Sequence, residues 1–411
     1  MSGVDSPARA VAKNPVRPSG RAGVRGDQAV SVGFVGTYPP TRCGIATFTA
    51  ALRIAIGASR SGVVALVDTP GVNDFAAEVI AEIAAGSPET LERAVAALDQ
   101  FDVVVLQHEF GIYGGPDGCE ILEIVRRLHA PAIVVLHTVL PSPTPAQQEI
   151  IERLGEIAEV LVVQSKAAQS SLLRAYLVDP SRVCVIPHGA PPNFEISATR
   201  DPHQHAPVVL TWGLLGRSKG IEYGIQAIAS LRDLEPPPRY IVHGQTHPRV
   251  VEREGEAYRN MLVALAKRLE VSDRVEFDGR YTETAAVLEL IRGSDLVLLP
   301  YRSRDQVVSG VLVEAIASGK PVVATRFPHA VELLAEGSGI LVPHENPAAM
   351  AQALRRLLTE PALAARASRV ARRQAKTLGW ESVGRGYREL ATSVLARRGP
   401  APDSSVLGSN P

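Results

Sequence analysis

The stretch DLVLLPYRSRDQVVSGVLVEAIASGKPVVAT, residues 295–325, contains the pattern that decides the fold. Its apolar run 296–299 ends in a polar loop that leads to Ser309 and Gly310. A helical segment carrying Glu314 then precedes the next apolar run. A strand, a helix and a second strand in this order are typical of parallel strands joined by crossover helices.

The same alternation extends through most of the chain. Because strands that are buried on both faces read as continuous apolar runs, it predicts parallel sheets covered by helices on both sides. The fold class is therefore α/β, with two doubly wound units. The runs, rich in Val and Ile, lie at 30–35, 62–67, 103–106, 132–136, 159–163 and 183–186, and then at 207–211, 239–243, 295–299, 321–324 and 339–342.

A polar stretch around 194–206 separates the two sets of runs and predicts a linker. Ligands in such sheets bind beyond the carboxyl ends of the strands, so the cleft between the units is the expected site. The predicted parts are a disordered tail at 1–28, a first domain at 29–195, a second domain at 206–378, a helix at 380–395 that packs back on the first domain, and a disordered tail at 396–411.

Composition limits the partners and the compartment. The 43 Lys and Arg residues balance 43 Asp and Glu residues, so the whole protein has no electrostatic footprint for nucleic acid. Cys43, Cys119 and Cys184 are scattered without CxxC spacing, which predicts a reducing compartment and neither a disulfide framework nor a zinc site. No apolar run is long enough to span a membrane. The expected location is cytoplasmic, with peripheral contact at the inner face of the membrane left open.

Glycines surround the loop after the first predicted strand, GFVGTYPPTRCGIATFT at residues 33–49. Gly36 closes the strand and a helix is expected to begin near Gly44. Free amides at a helix start favour phosphate, and glycine allows close approach of a ligand. The spacing fits neither GxGxxG nor a P-loop, so an ordinary strand-to-helix junction remains an equal alternative.

His108 and His137 each close an apolar strand, a position that points at the ligand crevice in this fold. The alternative for either one is a histidine satisfied by neighbouring backbone. His243 and His247 are four residues apart but lie at a strand end and in a loop, so no metal site is predicted.

The second unit opens with TWGLLGRSKGIEYGI, residues 211–225, where Arg217 and Lys219 precede a helix. Two cations beside a helix start are unfavourable unless an anion compensates, which indicates a diphosphate site over a solvated pair. Glu314, in the first turns of its helix, can accept two hydrogen bonds from a ribose diol or can complement the helix N-terminus.

These segments together resemble the retaining nucleotide-sugar glycosyltransferases of family four, which have the two-domain GT-B fold, over about residues 30–395. SGVLVEAIASGKPVVAT matches the region where the family shows Glu, seven residues and Glu. Glu314 is the second of these, whereas Gln306 stands at the first. Lys219 is kept in the GRLxxxKG motif, but Leu214 stands where an arginine is usual, and we hypothesise that Arg217 replaces its charge.

The resemblance implies transfer of a hexose from a nucleotide diphosphate sugar to a carbohydrate or lipid-linked acceptor, with retained configuration. It implies no cofactor besides this substrate, no metal and no nucleic-acid partner. The implied catalytic residues are His137, His108, Lys219 and Gln306. The implied donor-binding residues are Gly36, Gly44, Gly213, Arg217, Lys219, Gln306, Ser309, Gly310, Val311 and Glu314.

Two alternatives stay open from the sequence. One is another GT-B enzyme, such as a nucleotide-sugar epimerase or a phosphorylase. The other is a nucleotide-sugar-binding protein without catalysis, which the departures at Gln306 and Leu214 keep open. GDP-mannose and UDP-glucose are comparable as donors, and the acceptor is open between glycan, lipid and small molecule.

Overall fold

The computed structural model of the chain describes residues 30–194, 206–280 and 282–398. The predicted tail at 1–28, most of the predicted linker and the chain after Arg398 lie outside these ranges.

The first unit contains a seven-stranded, entirely parallel sheet. Its strands are β1 (Val32–Gly36), β2 (Ser61–Val67), β3 (Val79–Ala84), β4 (Val103–His108), β5 (Ala132–Leu136), β6 (Val160–Val163) and β7 (Val183–Val185). Their order across the sheet is β3-β2-β1-β4-β5-β6-β7.

The second unit contains a six-stranded parallel sheet. Its strands are β8 (Val208–Trp212), β9 (Arg239–His243), β10 (Val275–Asp278), β11 (Leu296–Leu299), β12 (Val322–Thr325) and β13 (Gly339–Val342). Their order is β10-β9-β8-β11-β12-β13. In both sheets the order reverses beside the first strand, as in a doubly wound fold. The predicted α/β class is confirmed.

Helices connect the strands and cover both sheets. Those of the first unit are α1 (Gly44–Ile56), α2 (Pro88–Leu98), α3 (Ile121–Arg127), α4 (Pro145–Ile157) and α5 (Lys166–Ala175). Those that follow are α6 (Ile221–Ala229), α7 (Pro248–Glu254), α8 (Ala257–Arg268), α9 (Thr284–Gly293), α10 (Gly310–Ala317), α11 (Pro328–Leu333), α12 (Pro347–Thr359), α13 (Pro361–Leu378) and α14 (Trp380–Arg398). Within the described ranges, no helix combines the length and the apolarity that crossing a membrane requires.

Two strands have no counterpart among the apolar runs of the sequence. Both β3 and β10 are outermost strands, and each is partly exposed along its length. A strand that is covered on fewer sides does not need a continuous apolar run, and Glu82 and Glu276 interrupt these two. A search for continuous apolar runs therefore finds the central strands and misses β3 and β10.

The last helix, α14, returns to the first unit. Its buried residues Val383, Tyr387 and Ala391 belong to the same core cluster as Phe34 of β1 and Leu52 of α1. The helix extends three residues beyond the predicted 395.

The two units meet where the chain crosses between them. Ala190 donates its amide to the carbonyl of Leu378 over 2.9 Å, and Trp380 donates its amide to the carbonyl of Ala190 over 3.2 Å. Residues 186–191 and 378–380 thus run side by side, and we call them the crossing.

A second contact joins the polar loop before α10 to the start of α5. Ser165, the N-cap of α5, donates its hydroxyl to the carbonyl of Val307 over 2.6 Å. The Glu332 carboxylate of α11 accepts the amides of Lys166 and Ala167 over 3.1 and 2.8 Å. A carboxylate of the second unit therefore satisfies the free amides at a helix start of the first.

Candidate active site

The start of α10 lies at the cleft between the units. Ser309 is its N-cap and accepts the amide of Leu312 through its hydroxyl over 3.3 Å. The amide of Ser309 donates to Nδ1 of His329 over 2.8 Å. The amides of Gly310 and Val311, in the first turn, have no acceptor within a helix. Of the predicted amides around Ser309, those of Gly310 and Val311 are the ones positioned to receive an anion.

The end of β8 faces this helix start. A Cβ atom at Gly213 would lie 3.6 Å from a methyl group of Val311, which is ordinary van der Waals contact, so Gly213 is adjacent to the first turn of α10. The indole of Trp212, the last residue of β8, donates Nε1–H to the Glu314 carboxylate over 3.0 Å. Burial raises the pKa of Glu314, and the Trp212 hydrogen bond offsets only part of this increase. Gly213, Val311 and Glu314 are thus brought together as predicted donor-binding residues.

Lys219 ends a short 3₁₀ turn after β8. Its ammonium lies 4.1 Å from the ring centroid of Tyr301, a cation–π distance. Gly220 follows with φ of 61°, and a Cβ atom there would overlap the carbonyl of Pro300. Only glycine suits this approach, which places the turn against the end of β11.

Arg217 is at the outer side of the same turn. Its guanidinium donates twice to Glu254 of α7, over 2.8 and 3.2 Å, and its side chain is 55% exposed. An exposed ion pair is weak, so this contact does not by itself prevent Arg217 from moving to a ligand. Binding of a diphosphate by Arg217 stays a prediction, and it would require the guanidinium to break its ion pair with Glu254.

His137 is held on the first unit between two amide side chains. Its Nε2 lies 2.8 Å from Oε1 of Gln107, and its Nδ1 lies 3.3 Å from Nε2 of Gln164. Burial, followed by the charges of His188 and His108, lowers the pKa of His137 to about 3. The imidazole is therefore neutral at physiological pH.

His108, the other predicted histidine, is buried with an exposed fraction of 0%. Its ring packs edge-on against Phe110, and among the described residues neither ring nitrogen has a hydrogen-bond partner. Burial lowers the pKa of His108 to about 3. The ring is not exposed to a substrate in this structure, and a catalytic role for it stays a prediction.

The remaining predicted residues lie on three different elements. Gln306 lies in the loop before α10 and donates its side-chain amide to the carbonyl of Val308 over 3.1 Å. Gly36 ends β1, and a Cβ atom there would lie 2.9 Å from Cγ of Gln107. Gly44 starts α1 and is exposed, with no atom within 4 Å of the place of a Cβ atom.

A series of ring contacts leads from His137 towards the start of α10. The His137 ring meets the Phe48 ring at a centroid distance of 4.8 Å, and Phe48 meets His188 at 5.0 Å. The Nε2 atom of His188 lies 3.1 Å from the place where a Cβ atom would stand on Gly310. These contacts connect His137, which is predicted to lie at the donor-sugar end of the site, to the start of α10 in the second unit.

Two family models match the chain in succession. Glycosyltransferase Family 4 matches residues 64–194 and Glycosyl transferases group 1 matches residues 194–374, so the two together cover both units. The chain belongs to the group 1 glycosyltransferases.

Curated relatives of this group 1 glycosyltransferase match part of its length. It is 30% identical over 259 residues to the D-inositol 3-phosphate glycosyltransferase of Corynebacterium glutamicum, covering 60% of each chain. It is 28% identical over 288 residues to the protein of the same name from Kineococcus radiotolerans, covering 64% of each. The chain spans less than two thirds of the length of these relatives.

Solved structures share the fold across both units. Anabaena HepE in complex with UDP superposes with a TM-score of 0.73 at 18% identity, over 88% of this chain and 100% of the other. Sucrose-phosphate synthase from Thermosynechococcus elongatus superposes with a TM-score of 0.71 at 19% identity, over 90% and 100%. The predicted GT-B fold is confirmed.

Several residues of this group 1 glycosyltransferase join the site without having been predicted as site residues. They are Gln107, Gln164, His188, Trp212 and His329. Three of them lie in the last two positions of a strand or directly follow it, close to the position that singled out His137. Applying that rule to amides as well as to titratable groups would have found Gln107 and Gln164. Across the residues that the structure describes, no three His, Cys, Asp or Glu side chains are grouped as metal ligands.

Proposed function

We propose that the protein transfers a hexose from a nucleotide diphosphate sugar to an acceptor, with retention of the anomeric configuration. The observation that carries the proposal is the juxtaposition across the cleft. The start of α10, close to Gly213 and one turn before Glu314, lies opposite His137 and is connected to it through Phe48 and His188.

The donor binds mainly to the second unit in this proposal. The amides of Gly310 and Val311 and the ammonium of Lys219 bind the diphosphate, since both supply positive charge where negative charge accumulates on the leaving group. Glu314 accepts hydrogen bonds from the ribose hydroxyls. Gln306 and His137 bind hydroxyls of the donor sugar, with His137 acting as a neutral donor or acceptor.

The acceptor binds against the first unit, near the loop between Gly36 and Gly44. Departure of the diphosphate leaves an oxocarbenium-like sugar, and an acceptor hydroxyl attacks the anomeric carbon from the same face. The new bond joins the acceptor oxygen to that carbon, the bond to the diphosphate oxygen breaks, and this oxygen takes the acceptor proton. Closure of the units excludes water, which competes as an acceptor.

Names and ligands of similar proteins suggest which molecules to test. The curated relatives are named for D-inositol 3-phosphate, and HepE was solved with UDP and with UDP-glucose. We therefore include D-inositol 3-phosphate among the acceptors, and UDP-glucose and GDP-mannose among the donors.

The first test is a thermal shift panel of UDP, GDP, ADP and their common sugar conjugates, with and without a chelator. A ligand that binds only the folded state raises its melting temperature, so the panel identifies the donor base. The preferred conjugate is then incubated with an acceptor panel, and the anomeric configuration of the first product is read by NMR.

The outcomes separate the proposal from its rivals. A shift with one diphosphate and a product of retained configuration support it. Epimerised donor without acceptor, phosphate-dependent turnover, or tight binding without any transfer or hydrolysis would each contradict it. An inverted product would contradict the proposed retention and the same-face mechanism, but not the transfer of the sugar.

A further inference from the structure

His188 lies where the crossing meets the start of α10. Its ring packs against Phe48 of α1, at 5.0 Å, and against Trp380, the first residue of α14, at 6.1 Å. Its Nε2 edge faces Gly310, 3.1 Å from the place of a Cβ atom. Any side chain at position 310 would crowd this imidazole, so the glycine at the helix start also makes room for His188.

The protonation state of His188 is determined by its backbone partner. Nδ1 lies 2.7 Å from the carbonyl oxygen of Gly189, which can only accept, so Nδ1 carries the hydrogen. In a neutral ring Nε2 then holds a lone pair. Within the part of the chain that the structure describes, Nε2 has no hydrogen-bond partner.

A second imidazole lines the same helix start. His329, only 2% exposed, accepts the Ser309 amide at Nδ1, so its hydrogen is on Nε2. That Nε2–H group has no acceptor among the described residues. The ring is close enough to His188 for a charge on His188 to lower the pKa of His329. A bound anion at the helix start would supply the acceptor that this N–H group lacks.

We propose that Nε2 of His188 contacts the diphosphate of a nucleotide sugar bound at the start of α10, and that His188 takes up one proton from solvent as the donor binds. The inference rests on the proposed function and adds a substrate-contacting residue to it. Phosphate oxygens and an unprotonated Nε2 are both acceptors, so they cannot share a hydrogen bond until a proton is added. The protonated ring then donates a charge-assisted hydrogen bond.

The surroundings keep His188 neutral until the anion arrives. Burial lowers its pKa to about 4, and the hydrogen bond to the Gly189 carbonyl offsets only part of this decrease. The titratable groups that face it are the neutral imidazoles of His137 and His329, whereas α1 and α14 present the rings of Phe48 and Trp380. Glu314, one turn along α10, forms its hydrogen bond with Trp212. A dianionic ligand would be the strongest charge beside the ring and would raise its pKa.

The experiment is calorimetric titration of UDP-glucose, and of GDP-mannose in parallel, at about pH 6 in buffers of different ionisation enthalpy. Sugar conjugates are used because the phosphates of free UDP titrate in this range themselves. The dependence of the observed enthalpy on the buffer gives the number of protons taken up. We expect the wild-type protein to take up about one proton per bound donor, with affinity declining as pH rises above about 4.

Variants separate a proton-accepting role from a structural one. In His188→Gln the amide can still donate a hydrogen bond but cannot titrate, so proton uptake should vanish while affinity changes less than about tenfold. His188→Ala should lose both uptake and about tenfold or more in affinity. The matched control is His129→Gln, since His129 is 92% exposed and pairs with Asp99 away from the cleft. It should leave uptake and affinity unchanged.

Two failures remain distinguishable. Binding without proton uptake by the wild type, or uptake that persists in His188→Gln, overturns the role of His188 and leaves the proposed function standing. Absence of binding to either sugar conjugate, by a protein with an intact melting transition, overturns both.

Discussion

The two units close their strands with different chemistry. In the first, the residues that close or follow β4, β5 and β6 are Gln107, His108, His137 and Gln164, and both imidazoles are neutral because burial lowers the pKa of each to about 3. In the second, the corresponding side chains are ionisable: Lys219 lies against the Tyr301 ring after β8, and Glu314 of α10 accepts from Trp212. Neutral side chains, as in the first unit, suit the hydroxyl groups of a sugar, whereas the ionisable side chains of the second unit suit a diphosphate and a ribose. This difference between the units matches a donor that binds to both.

The largest expected effect tests the role of charge in the second unit. Lys219→Ala should lower the transfer rate about 100-fold or more, because it removes a cation from the departing diphosphate. Steady-state kinetics with the donor identified by thermal shift will measure it. Lys267→Ala, on the exposed face of α8, is the matched control. A loss below a few-fold would show that the charge at Lys219 is not what distinguishes the second unit.

Glu314→Gln should change affinity and stability in opposite directions. Donor KM should rise about tenfold, since a carboxylate that accepts from ribose hydroxyls is replaced by a weaker acceptor. The melting temperature should rise at neutral pH, because the ionised form of Glu314 is disfavoured by burial while the amide can still accept from Trp212.

The pH dependence of that stability gain follows from the raised pKa of Glu314. The cost of ionising the buried carboxyl is fully present above this pKa and disappears as pH falls through it. The difference in melting temperature between Glu314→Gln and the wild type should therefore shrink in acid. A difference independent of pH would mean that burial of the charge is not its cause.

Gln107→Glu would introduce a charge among the neutral side chains at the strand ends of the first unit. The substitution loses no hydrogen bond among the described residues, because Nε2 of Gln107 has no partner there, but it places a carboxylate 2.8 Å from His137. The pKa of His137 should rise, so the transfer rate of the variant relative to the wild type should fall several-fold toward acidic pH, because the wild-type imidazole stays neutral down to about its own pKa of 3. The pH–rate profile checks this, with the exposed Gln352→Glu as control. An unchanged profile would remove His137 from the donor site.

The smallest expected effect concerns Arg217. It tests whether the diphosphate site of the second unit extends as far as this residue. Arg217→Ala should weaken nucleotide diphosphate binding several-fold, and Glu254→Gln should tighten it slightly by releasing the guanidinium. The double variant should bind like Arg217→Ala alone if Glu254 acts only through Arg217. Unchanged affinity in both single variants would end the hypothesis that Arg217 replaces the usual arginine at the position of Leu214.

The sequence predicts the fold better than the contacts of the site. Continuous apolar runs located eleven of the thirteen described strands, since central strands must be apolar on both faces, whereas β3 and β10 at the edges need not be. Residue types at strand ends also pointed to His137. Nothing in the sequence indicates that Gln107 and Gln164 engage both nitrogens of its ring, because those partners come from strands distant in the chain.

The return of α14 to the first unit has a consequence for how the protein is made. Val383, Tyr387 and Ala391 complete a core begun at β1, yet roughly 200 residues are translated after β7 before α14 begins, which takes roughly 10–40 s at ordinary elongation rates. During that interval, while the second unit is being translated, the apolar faces of β1 and α1 lack the cover that α14 provides. The nascent first unit is thus a natural client for a chaperone at the ribosome, and shortening the chain before Trp380 would make that dependence permanent.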